Sequence, residues 1–184
     1  MSEATILAIH VGRPSELEFN GRSVLSAIYK QPVTRPVMVR RLNLEGDEQA
    51  DLKVHGGPDK AVYCYPSEHY AAWSQDLGRP LDFGFFGENL TVSGLSEETL
   101  HIGDVLTIGE VMLQVSQPRL PCFKLGVKVG DQRFLARFLR SGRCGFYCRV
   151  LEEGMIEPGQ SIEVAERAQS HLTIAQSIAP LLSK

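Results

Sequence analysis

The 184-residue chain contains no run of about 18 apolar residues, the length that a membrane-spanning helix needs. Its first residues have no basic stretch followed by an apolar one, so they do not resemble a secretory signal. Cysteine is scarce, and the four present form no Cys-x-x-Cys pair. We therefore expect a cytoplasmic protein that has no membrane partner and keeps its cysteines as reduced thiols.

Several signatures of common enzyme classes are missing as well. There is no Gly-x-Ser-x-Gly elbow of a serine hydrolase and no His-Glu-x-x-His zinc motif. The glycine pair Gly56-Gly57 does not have the spacing of a Walker loop or of a dinucleotide-binding fingerprint. The net charge is −3 with both signs mixed, which gives no basis for nucleic-acid binding.

The composition is that of one ordinary globular unit, with 43% hydrophobic and 22% charged residues. Apolar runs and turn signals predict many short strands and three helices, at 66–77, 131–140 and 171–182. The strands are predicted at 5–11, 23–30, 36–44, 61–65, 89–92, 105–108, 111–116, 146–151 and 161–164. Because long strand–helix–strand alternation is absent, we expect a mainly β fold, closed or strongly curved into a barrel, with a few peripheral helices.

One thiol, Cys122, stands out by its neighbours. Pro118 and Pro121 restrict the backbone on its N-terminal side, which predicts a loop with few conformations. Arg119 and Lys124 lie on either side, and nearby cations favour the thiolate, the form that acts as a nucleophile and binds metals. By contrast, Cys64, Cys144 and Cys148 are interpreted as small buried hydrophobes.

A second segment, residues 53–60, combines a glycine pair with positive charge. Gly56 and Gly57 would let the backbone approach a ligand and aim N–H groups at an anion, with His55 and Lys60 adding charge. The competing interpretation is a hairpin loop with solvated charges.

A third segment follows the aromatic stretch around Phe83, Phe85 and Phe86, which we expect in the core. Glu88 and Asn89 could offer an acceptor and an amide to a heterocycle. A tight turn, in which Asn89 bonds its own backbone, is the alternative.

Taken together, four ordered segments resemble the MOSC domain family, named after the C-terminal part of molybdenum-cofactor sulfurase. The segments are VHGGPDKAVY at 54–63, FGENL at 86–90, IGD at 102–104 and QPRLPCFKL at 117–125. The resemblance is closest to the stand-alone bacterial YiiM-like branch and covers roughly residues 5–165. Such proteins often end in three helices, whereas here about twenty residues follow Val164, enough for one helix.

The resemblance implies a barrel-like core of the pyruvate-kinase type over residues 1–165, with a short helical tail at 166–184. It also implies a molybdenum cofactor and no pyridoxal phosphate. The motif cysteine, Cys122, would be the catalytic residue and the protein ligand of the metal. The expected cofactor-binding residues are His55, Gly56, Gly57, Lys60, Glu88, Asn89, Arg119 and Lys124.

The family activity implied is reduction of N-hydroxylated compounds, such as hydroxylamino purines and amidoximes, to amines. Electrons would come from a separate reductase, because the chain has no flavin, haem or iron–sulfur motif. A soft thiolate suits a sulfur-rich metal centre, and cations suit the cofactor's phosphate. Two alternatives stay open, a cofactor carrier or sulfur-transfer protein that uses a persulfide on Cys122, and a binding domain without cofactor. The oligomeric state is open too, with a homodimer as one option.

Overall fold

The main sheet of the protein closes on itself as a seven-stranded barrel. The structure, a computed structural model, describes residues 3–50, 56–169 and 172–182. The strands in these residues are β1 (Ala4–Val11), β2 (Ser15–Phe19), β3 (Arg22–Ser26), β4 (Gln31–Val33), β5 (Val37–Val39), β6 (Val62–Pro66), β7 (Leu90–Ser93), β8 (Val105–Ile108), β9 (Val111–Pro118), β10 (Phe146–Glu152), β11 (Gly154–Ile156) and β12 (Ser161–Glu166).

The barrel strands follow the order β12-β8-β9-β10-β6-β7-β1, and β1 closes the ring by pairing Ala4 with Ile162 of β12. β6 and β7 are parallel, and the other neighbours in the ring are antiparallel. β4 extends the sheet beyond β1, while β2–β3 and β5–β11 form separate ribbons. Closure pairs the barrel strands on both sides, so the predicted mainly β, barrel-like architecture is confirmed.

Four short helices occur in the described residues: α1 (Tyr70–Leu77), α2 (Phe123–Val129), α3 (Phe134–Arg140) and α4 (Ile174–Ile178). α1 lies in the crossover from β6 to β7 that a parallel pair requires. It ends, as predicted, where Gly78 adopts the left-handed conformation at φ 64°. Within the described ranges, no helix has both the length and the apolar character needed to cross a membrane.

Several local predictions were wrong, among them the strand predicted at 23–30, which ends at Ser26. The strand predicted at 36–44 ends at Val39, because Arg40 turns back and donates its N–H to the carbonyl of Asn43 at 2.8 Å. Helix α2 was missed because Gly126 and the β-branched Val127 and Val129 weaken the local helical signal. Burial of Leu125 and Gly126 in the fold outweighs that weak propensity.

An aromatic cluster joins the end of the barrel to α1 and α3. Tyr65 stacks on Phe86 with ring centroids 4.5 Å apart, and Trp73 stacks on Phe138 at 5.4 Å. Phe86 is fully buried as predicted, but Phe83 is 41% exposed, so its predicted place in the core was wrong. The exposed ring of Phe83 instead borders a cavity.

The C-terminal tail returns to the barrel. The first N–H groups of α4 donate to earlier carbonyls, from Ile174 to Leu100 at 2.9 Å and from Ala175 to Glu97 at 2.8 Å. Ile174 and Ile178 are buried, so this single helix adds to the core.

Gly145, just before β10, offers a test of how tightly the barrel is packed. It has φ +70°, and a Cβ there would lie 2.5 Å from the carbonyl oxygen of Cys64. We expect Gly145→Ala to lower the free energy of unfolding by about 3 kcal/mol or more, because both strain and overlap oppose it. Urea denaturation measures the loss.

Gly142→Ala is the matched control. Gly142 has φ +71° but open space around the added methyl group, so only the backbone cost of about 1–2 kcal/mol applies. Equal losses in the two variants would contradict the close packing at Gly145.

Candidate functional site

Five of the residues singled out from the sequence line one cavity of about 100 Å³. They are Lys60, Asn89, Arg119, Cys122 and Lys124. The other polar lining side chains include Lys30, Asp47, Glu48, Gln49, Tyr63 and Tyr147. The volume is below the roughly 300–1,000 Å³ of typical ligand sites, so the cavity can enclose only part of a larger ligand.

Cys122 is placed by the chain between β9 and α2. Its backbone is extended, with φ −128° and ψ 168°, and its carbonyl accepts the N–H of Leu125 at 2.9 Å as α2 begins. The thiol is partly exposed, whereas Cys64, Cys144 and Cys148 are buried as predicted. Cys122 is therefore the cysteine that a ligand in the cavity can reach.

Arg119 is a buried cation with unused hydrogen-bonding capacity. The residue is 5% exposed, and its guanidinium lies over the rings of Tyr63 and Phe138, at 5.5 and 5.6 Å from their centroids. Its Nη1 is buried without a hydrogen-bond partner. No carboxylate among the described residues forms an ion pair with it. Because a buried unpaired cation is costly, this position is suited to binding an anion.

The groups around Arg119 adjust to its charge. Burial lowers the pKa of Arg119, but Tyr63 and Tyr147, followed by Cys122, raise it by more, so the guanidinium stays charged. Burial raises the pKa of Tyr147, and the charge of Arg119 and a hydrogen bond from it offset part of that rise. The Tyr147 hydroxyl therefore keeps its proton at neutral pH and can donate it in a hydrogen bond.

Asn89 connects three segments beside the cavity. Its Oδ1 accepts the N–H of Tyr63 at 3.0 Å, and its Nδ2 donates to Asp47 at 2.9 Å and to the carbonyl of His10 at 3.3 Å. Asp47 also pairs with the ammonium group of Lys30, and both side chains are over 90% buried. Sequence reasoning missed Lys30 and Asp47, because their pairing forms between separate segments and leaves no local pattern.

The remaining cations lie differently. Lys124 lines the cavity and donates its ammonium group to the carbonyl of Leu25 at 2.8 Å, which ties α2 to the β2–β3 ribbon. Lys60 also lines the cavity, at the end of a 3-10 turn. Gly57 has φ 94°, a backbone conformation that favours glycine. Its N–H donates to Oε1 of Gln49 at 2.8 Å. That bond uses the donor predicted for an anion, Gly56 is not among the lining residues, and His55 lies outside the described residues.

Glu88 does not line the cavity, contrary to its predicted role as a cofactor ligand. Its fully buried carboxylate accepts the N–H groups of Gly84 at 2.8 Å and Phe86 at 3.1 Å. It also accepts the hydroxyls of Thr91, at 2.9 Å, and Tyr70. The carboxylate thus fixes the loop before β7.

The donor set limits which metal centres the cavity can hold. Across the described residues, no three His, Cys, Asp or Glu side chains converge as a metal site would require. Cys122 supplies the one sulfur among the described lining residues. A metal held by that sulfur would need further ligands, which a cofactor would supply.

The fold and cavity together define a class: a small β-barrel protein with a reachable thiol beside a buried, unpaired guanidinium. The chain belongs to the MOSC domain family, whose pattern matches residues 51–163. This confirms the resemblance inferred from the four sequence segments.

Several relatives place the chain in the YiiM-like bacterial branch. The YflK protein of Bacillus subtilis is 47% identical over 170 residues, which are 92% of this chain and 77% of that protein. The crystal structure of YiiM from Geobacillus stearothermophilus is 38% identical, with a TM-score of 0.81 over 97% of this chain and 84% of that one. A protein of Gibberella moniliformis named "Reductase" is 39% identical over 166 residues, 88% of this chain but 29% of its own length.

The structural role of Glu88 can be tested by Glu88→Gln. The amide places an N–H₂ group among several donors, so we expect the free energy of unfolding to fall by about 2–4 kcal/mol. Thermal and urea unfolding measure the change.

Glu68→Gln is the control, because the exposed Glu68 accepts one backbone N–H, that of Gly94, at 2.8 Å. Its loss should stay below about 1 kcal/mol. A Glu88→Gln protein as stable as the wild type would contradict the structural role and restore Glu88 as a ligand candidate.

Proposed function

We propose that this protein is a molybdenum-cofactor oxidoreductase that reduces N-hydroxylated compounds to amines. The observation that carries the proposal is the pairing, in one cavity, of the reachable Cys122 thiol with the buried and unpaired guanidinium of Arg119. Membership of the MOSC domain family supports it, as does the relative named "Reductase".

The residues present suit such a cofactor. A thiolate is a soft ligand that fits a sulfur-rich metal centre, and one protein sulfur is enough when a dithiolene brings the others. The unpartnered Nη1 of Arg119 offers a buried donor to an oxo, sulfur or phosphate group. The small enclosed volume would take the metal end of the cofactor, while its remaining part would extend outside the enclosed space.

Five of the lining residues have assigned tasks in this proposal. Cys122 would bind the metal, and Arg119 would hold negative charge next to the sulfur. Lys60 and Lys124 would attract the anionic parts of the cofactor. Asn89 would keep the wall formed by Tyr63 in place through the hydrogen bond that it accepts.

When bound, the cofactor supplies two-electron chemistry that removes oxygen from an N–OH group. The protein contributes a sheltered environment for that reaction. The rings of Tyr63 and Tyr147 line the cavity and keep water from the Arg119 side, which strengthens electrostatic interactions there. The protonated Tyr147 hydroxyl would donate a hydrogen bond to the substrate oxygen.

Electrons would come from a separate donor protein. The sequence carries no flavin, haem or iron–sulfur motif that would pass electrons to the metal.

Cys122→Ala tests the proposal in protein freshly purified from a host that makes molybdenum cofactor. Wild-type protein should contain molybdenum and pterin and reduce benzamidoxime to benzamidine with reduced methyl viologen as donor. The variant should lose at least about 100-fold in turnover, because it lacks the protein ligand of the metal.

Cys148→Ala is the matched control, since its thiol is fully buried and does not line the cavity. It should keep both metal and turnover once thermal melting shows that it is folded. Wild-type protein that never carries molybdenum or pterin would overturn the proposal, and cyanide-labile sulfur on Cys122 in its place would point to sulfur transfer.

A further inference from the structure

A second cavity, of about 700 Å³, lies against the wall of the first. The wall consists of two short segments whose neighbouring residues face opposite sides. Ile28 and Phe86 line the first cavity, and Tyr29 and Phe85 line the second. The volume of the second cavity falls within the roughly 300–1,000 Å³ of small-molecule sites.

Aromatic side chains give this second cavity an apolar surface that is partly exposed to solvent. Tyr29 is 45% exposed and Phe83 is 41% exposed, although both are large rings next to the core. Phe85 is partly buried between them and the interior. Exposed aromatic rings gathered around a concave surface are typical of ligand sites.

A partly buried ammonium group lies among these rings. Nζ of Lys128 is 5.3 Å from the ring centroids of both Tyr29 and Phe85. It donates to the carbonyls of Ile28 at 3.0 Å and Gly84 at 3.2 Å, and among the described residues its third N–H bond has no acceptor. Burial lowers the pKa of Lys128 to about 8, which leaves it mostly charged at pH 7.

The charges on the lining favour a ligand with one negative charge. Arg79 lies over Phe85 at 5.4 Å and uses one donor on the carbonyl of Val129. Asp82 also lines the cavity and would repel a dianion. Asp47 already neutralises the charge of Lys30. Of the cationic residues that line the cavity, Lys128 and Arg79 therefore remain to bind an anionic ligand.

His10 adds a polar group without a partner. The residue is 2% exposed, lines the cavity, and has a buried Nδ1 that makes no hydrogen bond. Burial lowers its pKa, so the ring is neutral and adds no charge at pH 7.

We propose that the second cavity binds a planar aromatic monoanion, an aryl carboxylate, with its ring on Tyr29, Phe83 and Phe85 and its carboxylate on Lys128 and Arg79. A neutral ring would leave the remaining donor of Lys128 unused, and an aliphatic anion would leave the exposed rings uncovered. The proposal does not depend on the molybdenum cofactor.

Benzoate is the probe, titrated into the ¹⁵N-labelled full-length protein and followed by NMR. Backbone amides of residues 29–31, 79 and 81–85 should shift, whereas those of residues 122–124 should not. Benzamide lacks the charge and cyclohexanecarboxylate lacks the aromatic ring, so each should bind at least about tenfold more weakly.

Lys128→Met and Arg79→Gln should each weaken benzoate binding by about tenfold. Arg79 is exposed, so its variant tests the site even where Lys128→Met does not fold. Arg13→Gln, at a side chain that is 78% exposed and lies outside the cavity, is the matched control and should leave affinity unchanged.

Any of three results overturns the proposal. The first is benzoate that does not bind at about 10 mM, and the second is benzamide that binds as well as benzoate. The third is a set of shifts centred on residues 122–124, which would assign the probe to the first cavity.

Discussion

The buried guanidinium of Arg119 is the interaction on which the rest of the site depends. A cation in a low-dielectric interior needs an anion, yet none of the described residues supplies a carboxylate to it. Two aromatic rings and the Tyr147 hydroxyl compensate part of the cost, but Nη1 has no hydrogen-bond partner. A thiolate or another anionic group beside Cys122 would complete the charge balance, so thiol and cation are best understood as one unit.

The barrel holds this unit in place through two buried polar residues with different tasks. Asn89 joins the segments of Tyr63, His10 and Asp47 with its amide, which sets one wall of the cavity. Glu88, next to it in the chain, points into the fold and fixes the preceding loop with its carboxylate. Both residues lie in the segment just before β7, where Asn89 lines the cavity and Glu88 bonds the loop of residues 84–86.

Much of this arrangement could be predicted because the residues that form it are close together in the sequence. The prolines, the thiol and the flanking cations are neighbours in sequence, and five predicted residues do line one cavity. Contacts between distant segments were not predictable: Lys30 meets Asp47 only once the loop after β5 folds back. The same limit applies to Gly57, whose N–H looked available but donates to Gln49, and to Phe83, whose aromatic character predicted a core position. Residue type indicates what a group can bind, whereas tertiary contacts decide whether it is already occupied.

The central claim, that Cys122 binds a metal beside Arg119, is tested most directly by X-ray absorption at the molybdenum edge of cofactor-loaded wild-type protein. The account predicts one more sulfur in the coordination shell than the dithiolene pair provides, at a distance typical of a thiolate bond. A shell with the dithiolene sulfurs alone would contradict it.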